Sequence, residues 1–206
     1  MLIYNEKDRI INHKNIEHIE QQLASKWIKP ESRVLELGAR YGSVSIVTNK
    51  IVEEKSSHYV VEPDSEVWEC LEKNMKINDC NFNIIKGIIG NAASCSNKKY
   101  RLEGDGYEKR SVIDSTYGKS QIESFDLPNV NFNTLIADCE GFLETFFDEN
   151  KQLFHDLELI IIECDQPQRC NYKRLIKEFF ELDFVIVEHI NHYGLDHYVF
   201  KKSILK

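Results

Sequence analysis

The chain has no apolar run approaching the ~20 residues needed to cross a bilayer. Its opening, Met1-Leu-Ile-Tyr-Asn-Glu-Lys-Asp-Arg9, is too charged for the apolar centre of a secretory signal. These two absences set the expectation of a soluble, cytoplasmic protein with no membrane partner. Cys-x-x-Cys pairs are also absent. Cys70, Cys80, Cys95, Cys139, Cys164 and Cys170 lie scattered along the chain, as free thiols of a reducing compartment do and as a zinc ribbon or disulfide framework does not. No His-x-x-x-His spacing occurs, so a helical histidine metal cage is not expected. Positive charge is in the minority: 26 Lys and Arg against 34 Asp and Glu leave a net charge of −8. A field of that sign argues against capture of a phosphate backbone or an anionic surface, although Lys98-Lys99 and Lys109-Arg110 form local basic pairs. On charge alone a compact, weakly charged acceptor is expected and a nucleic acid is not.

What is present starts with enough apolar residues, 42% of 206, to bury one sizeable core, so residues 1–206 are expected to form a single domain. From Val34 to Gly42 the chain reads Val-Leu-Glu-Leu-Gly-Ala-Arg-Tyr-Gly, and a second apolar run, His58 to Val61, ends in Glu62-Pro63-Asp64. A strand that turns through glycines into a helix, followed by a strand ending in an acid, is how an open α/β sheet holds an adenosine. Gly38 and Gly42 let the chain reverse and let a ligand approach bare backbone. The Glu62 carboxylate can accept hydrogen bonds from both hydroxyls of a ribose. The turn lacks the middle glycine of the G-x-G-x-x-G that cradles a pyrophosphate; Ala39, Arg40 and Tyr41 fill its interior. An acid before the first glycine, Glu36, suits a cationic sulfonium better than two phosphates. S-adenosylmethionine has that charge pattern.

Ile16, Ile19, Leu23 and Trp27 recur at helical spacing and predict a helix over about 15–29, stopped by Pro30. A cofactor-binding half over 33–90 follows, with strands at Arg33 to Leu37, His58 to Val61 and Phe82 to Lys86 and helices at about Ser43 to Val52 and Ser65 to Ile77. Their continuous apolar character predicts parallel pairing. Residues 91–133 lose periodicity around a possible Gly104-Asp105-Gly106 turn and are read as the substrate side. A catalytic and C-terminal part over 134–201 holds strands at Thr134 to Ala137 and Leu157 to Ile162, a helix around Leu175 to Phe180, and a closing hairpin, Asp183 to His189 with His197 to Lys201. A mostly parallel seven-stranded sheet closed by an antiparallel hairpin, with helices on both faces, is a Rossmann-like class I methyltransferase fold.

From Arg33 to Lys201 these motifs resemble the FkbM family of S-adenosylmethionine-dependent methyltransferases. The likeness is carried by Glu36-Leu-Gly-Ala-Arg-Tyr-Gly42, Val61-Glu62-Pro63-Asp64, Ile136-Ala-Asp138-Cys-Glu140-Gly141, Ile160-Ile-Ile-Glu163 and Tyr198-Val-Phe200. The resemblance implies that Glu36, Gly38, Ala39, Arg40, Tyr41 and Gly42 hold the methionine part of the cofactor. It also implies that Glu62 and Pro63 hold the ribose and that Ile88 and Ile89, after Gly87, flank the adenine edge. Core packing is the equal alternative for the two isoleucines. The implied acceptor is a hydroxyl of a sugar, glycan or other small molecule.

An alcohol must lose its proton as the methyl bond forms. Asp138 is the first candidate base and cofactor neighbour, because it ends a central strand at the carboxyl edge where such sheets bind ligands; capping the following helix is its alternative role. Glu163 ends the next strand with Asp165 behind it, so Asp138 and Glu163 are read either as paired catalytic carboxylates or as ligands of a Mg²⁺ or Mn²⁺ that acidifies the hydroxyl. His192 is the third catalytic candidate, with Tyr107, Tyr117, Tyr193 and Asp196 nearby as acceptor-binding groups. Two alternatives stay open: methylation of RNA or protein, which a basic aromatic face would mark, and a non-catalytic cofactor-binding subunit.

Overall fold

The computed structural model describes residues 1–90, 99–103, 110–114 and 122–203, the two short internal stretches by backbone pairing alone. Strands in chain order are β1 (Ile3–Tyr4), β2 (Ile10–Ile11), β3 (Val34–Leu37), β4 (His58–Val61), β5 (Asn83–Ile85), β6 (Ile88–Ile89), β7 (Lys99–Glu103), β8 (Arg110–Asp114), β9 (Ser124–Phe125), β10 (Thr134–Ala137), β11 (Leu159–Cys164), β12 (Phe184–His192) and β13 (Leu195–Lys202). The α-helices are α1 (His18–Trp27), α2 (Ser43–Ile51), α3 (Trp68–Ile77), α4 (Leu143–Glu149), α5 (Lys151–Asp156) and α6 (Tyr172–Glu181).

The main sheet has seven strands in the order β12-β13-β11-β10-β3-β4-β5. All neighbours pair in parallel except β13, which runs antiparallel to both β11 and β12. Two neighbours therefore leave β3 in opposite directions: β4 and β5 follow it on one side, while β10 and β11 build the other. That reversal of strand order opens a crevice beyond the carboxyl ends of β3 and β10, where open α/β sheets bind ligands.

Side-chain alternation divides the core between the two faces. Leu35, Leu37, Leu135 and Ala137 join Phe146, Phe154 and Phe179 on one face, while Val34 and Ile136 join Ile19, Leu23 and Val44 of the flanking helices on the other. The middle strands β3 and β10 are buried at all four positions, which explains why apolar residues fill them apart from the buried Glu36 and Thr134.

Several boundaries move for identifiable reasons. The third helix starts at Trp68 because Val67 N–H is taken by the Asp64 carbonyl in a turn. Leu157 belongs to the end of α5, so β11 begins two residues later than its hydropathy suggests. The C-terminal hairpin extends to His192 and Leu195, joined only by Tyr193 and Gly194, both at positive φ (51° and 88°). Such a two-residue turn matches the twist of its strands. The β1–β2 hairpin is not visible in the sequence pattern. Side chains of α3 hold it in place: Asn74 accepts from Tyr4 N–H and donates to Tyr4 C=O, both at 2.8 Å, and Asn78 does the same for Leu2 at 3.0 and 2.7 Å. The Gly104-Asp105-Gly106 turn, Tyr107 and Tyr117 lie outside the described residues; β7 and β8, which flank the turn, pair antiparallel from Lys99↔Asp114 to Glu103↔Arg110. No described helix is long and apolar enough to cross a membrane.

Candidate functional site

The first bend after β3 is set by crowding. Gly38 sits at φ +83°, and a Cβ on it would lie 1.7 Å from the Asp138 carbonyl oxygen. Its bare backbone is therefore required by the close approach of the β3 and β10 ends, a different reason from the ligand access expected of it. Gly42, at φ +79°, opens α2 with its Cβ direction blocked 2.7 Å away by Leu71.

A cleft lies over these strand ends. Gly38, Arg40, Glu62, Pro63, Ile88, Ile89 and Asp138 all line it, together with Glu17, Asp64, Cys139, Glu140 and Phe142. The other residues of the predicted cofactor turn stand beneath it. Ala39 and Tyr41 are buried among Ile46, Val60 and Leu71. Glu36 is 1% exposed and turns away from the cleft, accepting from Ser45 Oγ at 2.6 Å and meeting His58 Nε2 at 3.0 Å. These side chains shape the turn from below.

Glu62 is fixed at the tip of β4 by two backbone amides: Arg40 N–H donates to Oε2 and Asp64 N–H to Oε1, both at 2.7 Å. Each oxygen keeps a second lone pair for a ligand hydroxyl. Burial pushes the Glu62 carboxyl up to about 7, against the pull of those two amides. Three non-glycine residues lining the cleft, Glu17, Arg40 and Glu140, hold left-handed backbone at φ 46°, 43° and 51°. Strain of this kind persists where surrounding structure imposes it, and it gathers at sites.

Beyond Asp138 the cleft continues into an acidic depression formed by Asn15, Ile16, Glu17, Asp138, Glu140, Glu163, Asp165, Gln166 and Leu195. Asp138 and Glu163 stand together here, and their protons are unequally shared. Burial and the neighbouring Glu163 charge hold the Asp138 carboxyl well above the usual carboxylate range. Burial also works against a charge on Glu163, yet hydrogen bonds from His197 and Asp138 outweigh it and leave Glu163 below its ordinary value. Burial and a hydrogen bond with Asp165 lift Glu140 to about 8, and burial lifts Glu17, which accepts from Ser43 Oγ, to about 8.

The histidine that meets a lining residue is His197, buried behind Glu163. It is 3% exposed, with Nε2 2.7 Å from Glu20 Oε1 and 3.4 Å from Glu163 Oε1. Burial opposes its charge, but the two carboxylates prevail and raise it to about 10. His192 lines neither depression; its ring packs edge-on against His18 at 4.7 Å. Tyr193 is 95% exposed at the hairpin turn. Strand alternation could have singled out His197, since it shares the inward face of β13 with Val199.

For the expected divalent cation, the group of potential ligands found among the described residues is Glu20, Glu163 and His197, which shares only Glu163 with the expected pair of Asp138 and Glu163. The Nε2 atom of His197 is already engaged by the two carboxylates, at 2.7 Å from Glu20 and 3.4 Å from Glu163. The three side chains already form an ion triad among themselves.

No family model matches this sequence, and no curated protein matches it. Solved structures do. Precorrin-6y C5,15-methyltransferase from Geobacter metallireducens GS-15 superposes with a TM-score of 0.57 at 12% identity, over 94% of this chain and 90% of that one. This chain has the Rossmann-like methyltransferase fold. Ribosomal protein L11 methylase from Lactobacillus delbrueckii subsp. bulgaricus gives 0.54 at 15% identity, over 94% and 81% of the two chains. An rRNA methylase from Streptococcus thermophilus gives 0.53 at 10%, over 90% and 95%. At such identities the likeness is one of fold, and the likeness to FkbM proteins stands as a resemblance of motifs.

Proposed function

We propose that residues 1–206 act as one S-adenosylmethionine-dependent methyltransferase domain whose acceptor is a base of an RNA. The observation that carries the cofactor is Glu62, a buried carboxylate pinned by two backbone amides beside the Gly38 bend at the reversal of strand order. In this reading Glu62 takes the ribose hydroxyls, Pro63, Ile88 and Ile89 flank the adenine, and Arg40 and the Gly38 turn receive the methionine part. Bound there, the cofactor would supply an electrophilic methyl carbon for in-line attack by the acceptor atom, with the carbon–sulfur electron pair leaving on sulfur and one proton remaining for the protein to take. The protein's own share is largely positioning, an effect worth up to ~7–11 kcal/mol when the reacting atoms are aligned in a dry site. Asp138, common to the cofactor cleft and the acidic depression, stands at the junction of the two.

RNA is favoured by the company the fold keeps and by a depression whose carboxylates match the N–H donors of a nucleobase. The total charge of −8, which argued against nucleic acid, is a sum over the whole chain and does not describe one surface. A protein amine is the second reading, supported by the same acidic lining and by the likeness to a ribosomal protein methylase. Methylation of a sugar or glycan hydroxyl rests on the motif resemblance alone. The Mg²⁺ or Mn²⁺ expected at Asp138 and Glu163 finds no support: the group of potential ligands among the described residues contains Glu163 but not Asp138.

Calorimetry with S-adenosylhomocysteine and with NAD tests the cofactor: binding of the first and none of the second is expected, and the reverse overturns the reading. Tritiated-methyl transfer to bulk ribosomal RNA, ribosomal proteins and nucleotide sugars tests the acceptor. Label in RNA is expected; label confined to protein or to sugar replaces RNA with that class.

A further inference from the structure

The mechanism above leaves one proton without a destination, and the acidic depression contains one carboxylate unlike the others. Glu163 lies directly opposite His197 in the β11–β13 ladder, so strand register alone brings the two side chains to one place. The imidazole is clamped from the other side by Glu20 of α1, which is 6% exposed. Nδ1 is buried with no hydrogen-bond partner among the described residues, so every polar contact of the ring is made through Nε2. The ring thus presents one N–H to two carboxylates, of which Glu20 is buried and Glu163 lines the acceptor side.

We propose that His197, braced by Glu20, is a positioning residue that keeps Glu163 as the carboxylate that takes the acceptor's proton during methyl transfer. Asp138, though nearer the cofactor cleft, holds its own proton and donates to Glu163, so it orients the base. The proton leaves the acceptor atom as that atom bonds to the methyl carbon, passes to a Glu163 oxygen, and is later lost to solvent. The charges that face this pair are Glu17 and Glu20 from α1, Asp138 and Glu140 after β10, Asp165 after β11, and Asp196 on β13. All are acids; Glu20 and Glu163 alone among them meet the His197 ring, and of those two only Glu163 lines the depression. The assignment of a proton acceptor rests on the methyltransferase reading; the charge relation between His197 and Glu163 is measurable without it.

The first test needs no variant. Imidazole ¹⁵N shifts of the folded protein should show His197 charged from pH 6 to beyond pH 8, and a ring that is neutral at pH 7 overturns the proposal. Side-chain carboxyl ¹³C shifts of Glu163 should then be compared in the wild-type protein and in His197→Gln, where loss of an opposite charge at this range should raise the Glu163 titration by about 1–3 pH units. An unchanged titration in a folded variant overturns the proposal. If His197→Gln does not fold, Glu20→Gln serves: the His197 ¹⁵N titration should fall, and no change overturns the bracing role. In transfer to bulk ribosomal RNA and ribosomal proteins, Glu163→Gln should lose at least about 10²-fold in kcat while S-adenosylhomocysteine affinity is kept. Retained kcat in that variant removes Glu163 as the base. Failure of S-adenosylhomocysteine to bind the wild-type protein would end the methyltransferase reading and leave the two titration results standing.

Discussion

Two glutamate–histidine pairs stand on the two sides of the central strands, one fully buried and one with its glutamate half-buried, and they have different surroundings. Glu36 and His58 face each other across β3 and β4 at 3.0 Å, 1% and 0% exposed, with Ser45 and Asn49 completing the enclosure. Glu163 and His197 face each other across β11 and β13, with Glu20 behind, and Glu163 opens onto the acidic depression. The same two residue types on adjacent strands thus form a closed strut in one half of the sheet and the floor of a site in the other. Solvent and ligand access makes the difference, and neighbouring elements decide that access.

The comparison can be broken most forcefully at the closed pair. His58→Leu leaves the Glu36 carboxylate buried with only Ser45, and urea denaturation should show a loss of about 3–5 kcal/mol. S-adenosylhomocysteine affinity of the folded fraction should be unchanged; a loss of affinity without a loss of stability would show the strut to be part of the site.

A second contrast tests whether the β3–β10 junction is set by crowding. Gly38→Ala drives a methyl group into the Asp138 carbonyl and should cost about 3 kcal/mol or more, whereas Gly194→Ala has the same sign of φ but open space and should cost about 1 kcal/mol. Equal losses in the two denaturation curves would mean that φ, and not contact, governs both.

On the cofactor side, Glu62→Ala removes hydrogen bonds from a charged group and should weaken S-adenosylhomocysteine by roughly 1.5–3 kcal/mol in calorimetry. An unaltered affinity in a folded variant would take the ribose away from Glu62.

The smallest effect sharpens the acidic side. Glu140 has its proton affinity raised from 4.5 to about 8. Between those values the folded state binds more protons than the unfolded state, so stability falls as pH rises through the window. His197, raised from 6.5 to about 10, acts in the same sense: its contribution is complete below 6.5 and is lost as pH climbs through 10. Glu140→Gln should therefore melt as the wild type does at pH 4 and above it at pH 9, by roughly 2–4 °C for each 1 kcal/mol relieved. A variant that melts lower at pH 9 would show that the charged form is stabilised in the fold.

Local pattern was informative where a side chain's surroundings repeat along the chain. Thr134–Ala137 reads as a strand at the same residues in both descriptions, because both faces of a central strand are apolar and no position competes. Glu62 could be placed because a strand tip followed by proline leaves few options for its carboxylate. Pattern failed where a partner comes from far away. Glu36 and Arg40 share one motif, yet only Arg40 reaches the cleft, since the pleat of β3 sends Glu36 toward His58 of the next strand. His192 and His197 are separated in the same way: a cluster of histidines near a turn marks a place, while the ladder puts His197 and not His192 opposite Glu163.

Hydrophobic periodicity, turn glycines and strand-end acids determined the element order, the class of sheet and the crevice. Those are properties of segments some ten residues long, and each segment carries its own signal. The protonation of the site belongs to the tertiary structure. Asp138, Glu140, Glu163, Asp165 and Glu17 are equivalent carboxylates in the sequence, and they part company only when burial raises four of them while an imidazole, brought to 3.4 Å by antiparallel pairing, holds Glu163 below its ordinary value. Desolvation and charge proximity depend on distances across the fold, and no local pattern contains them.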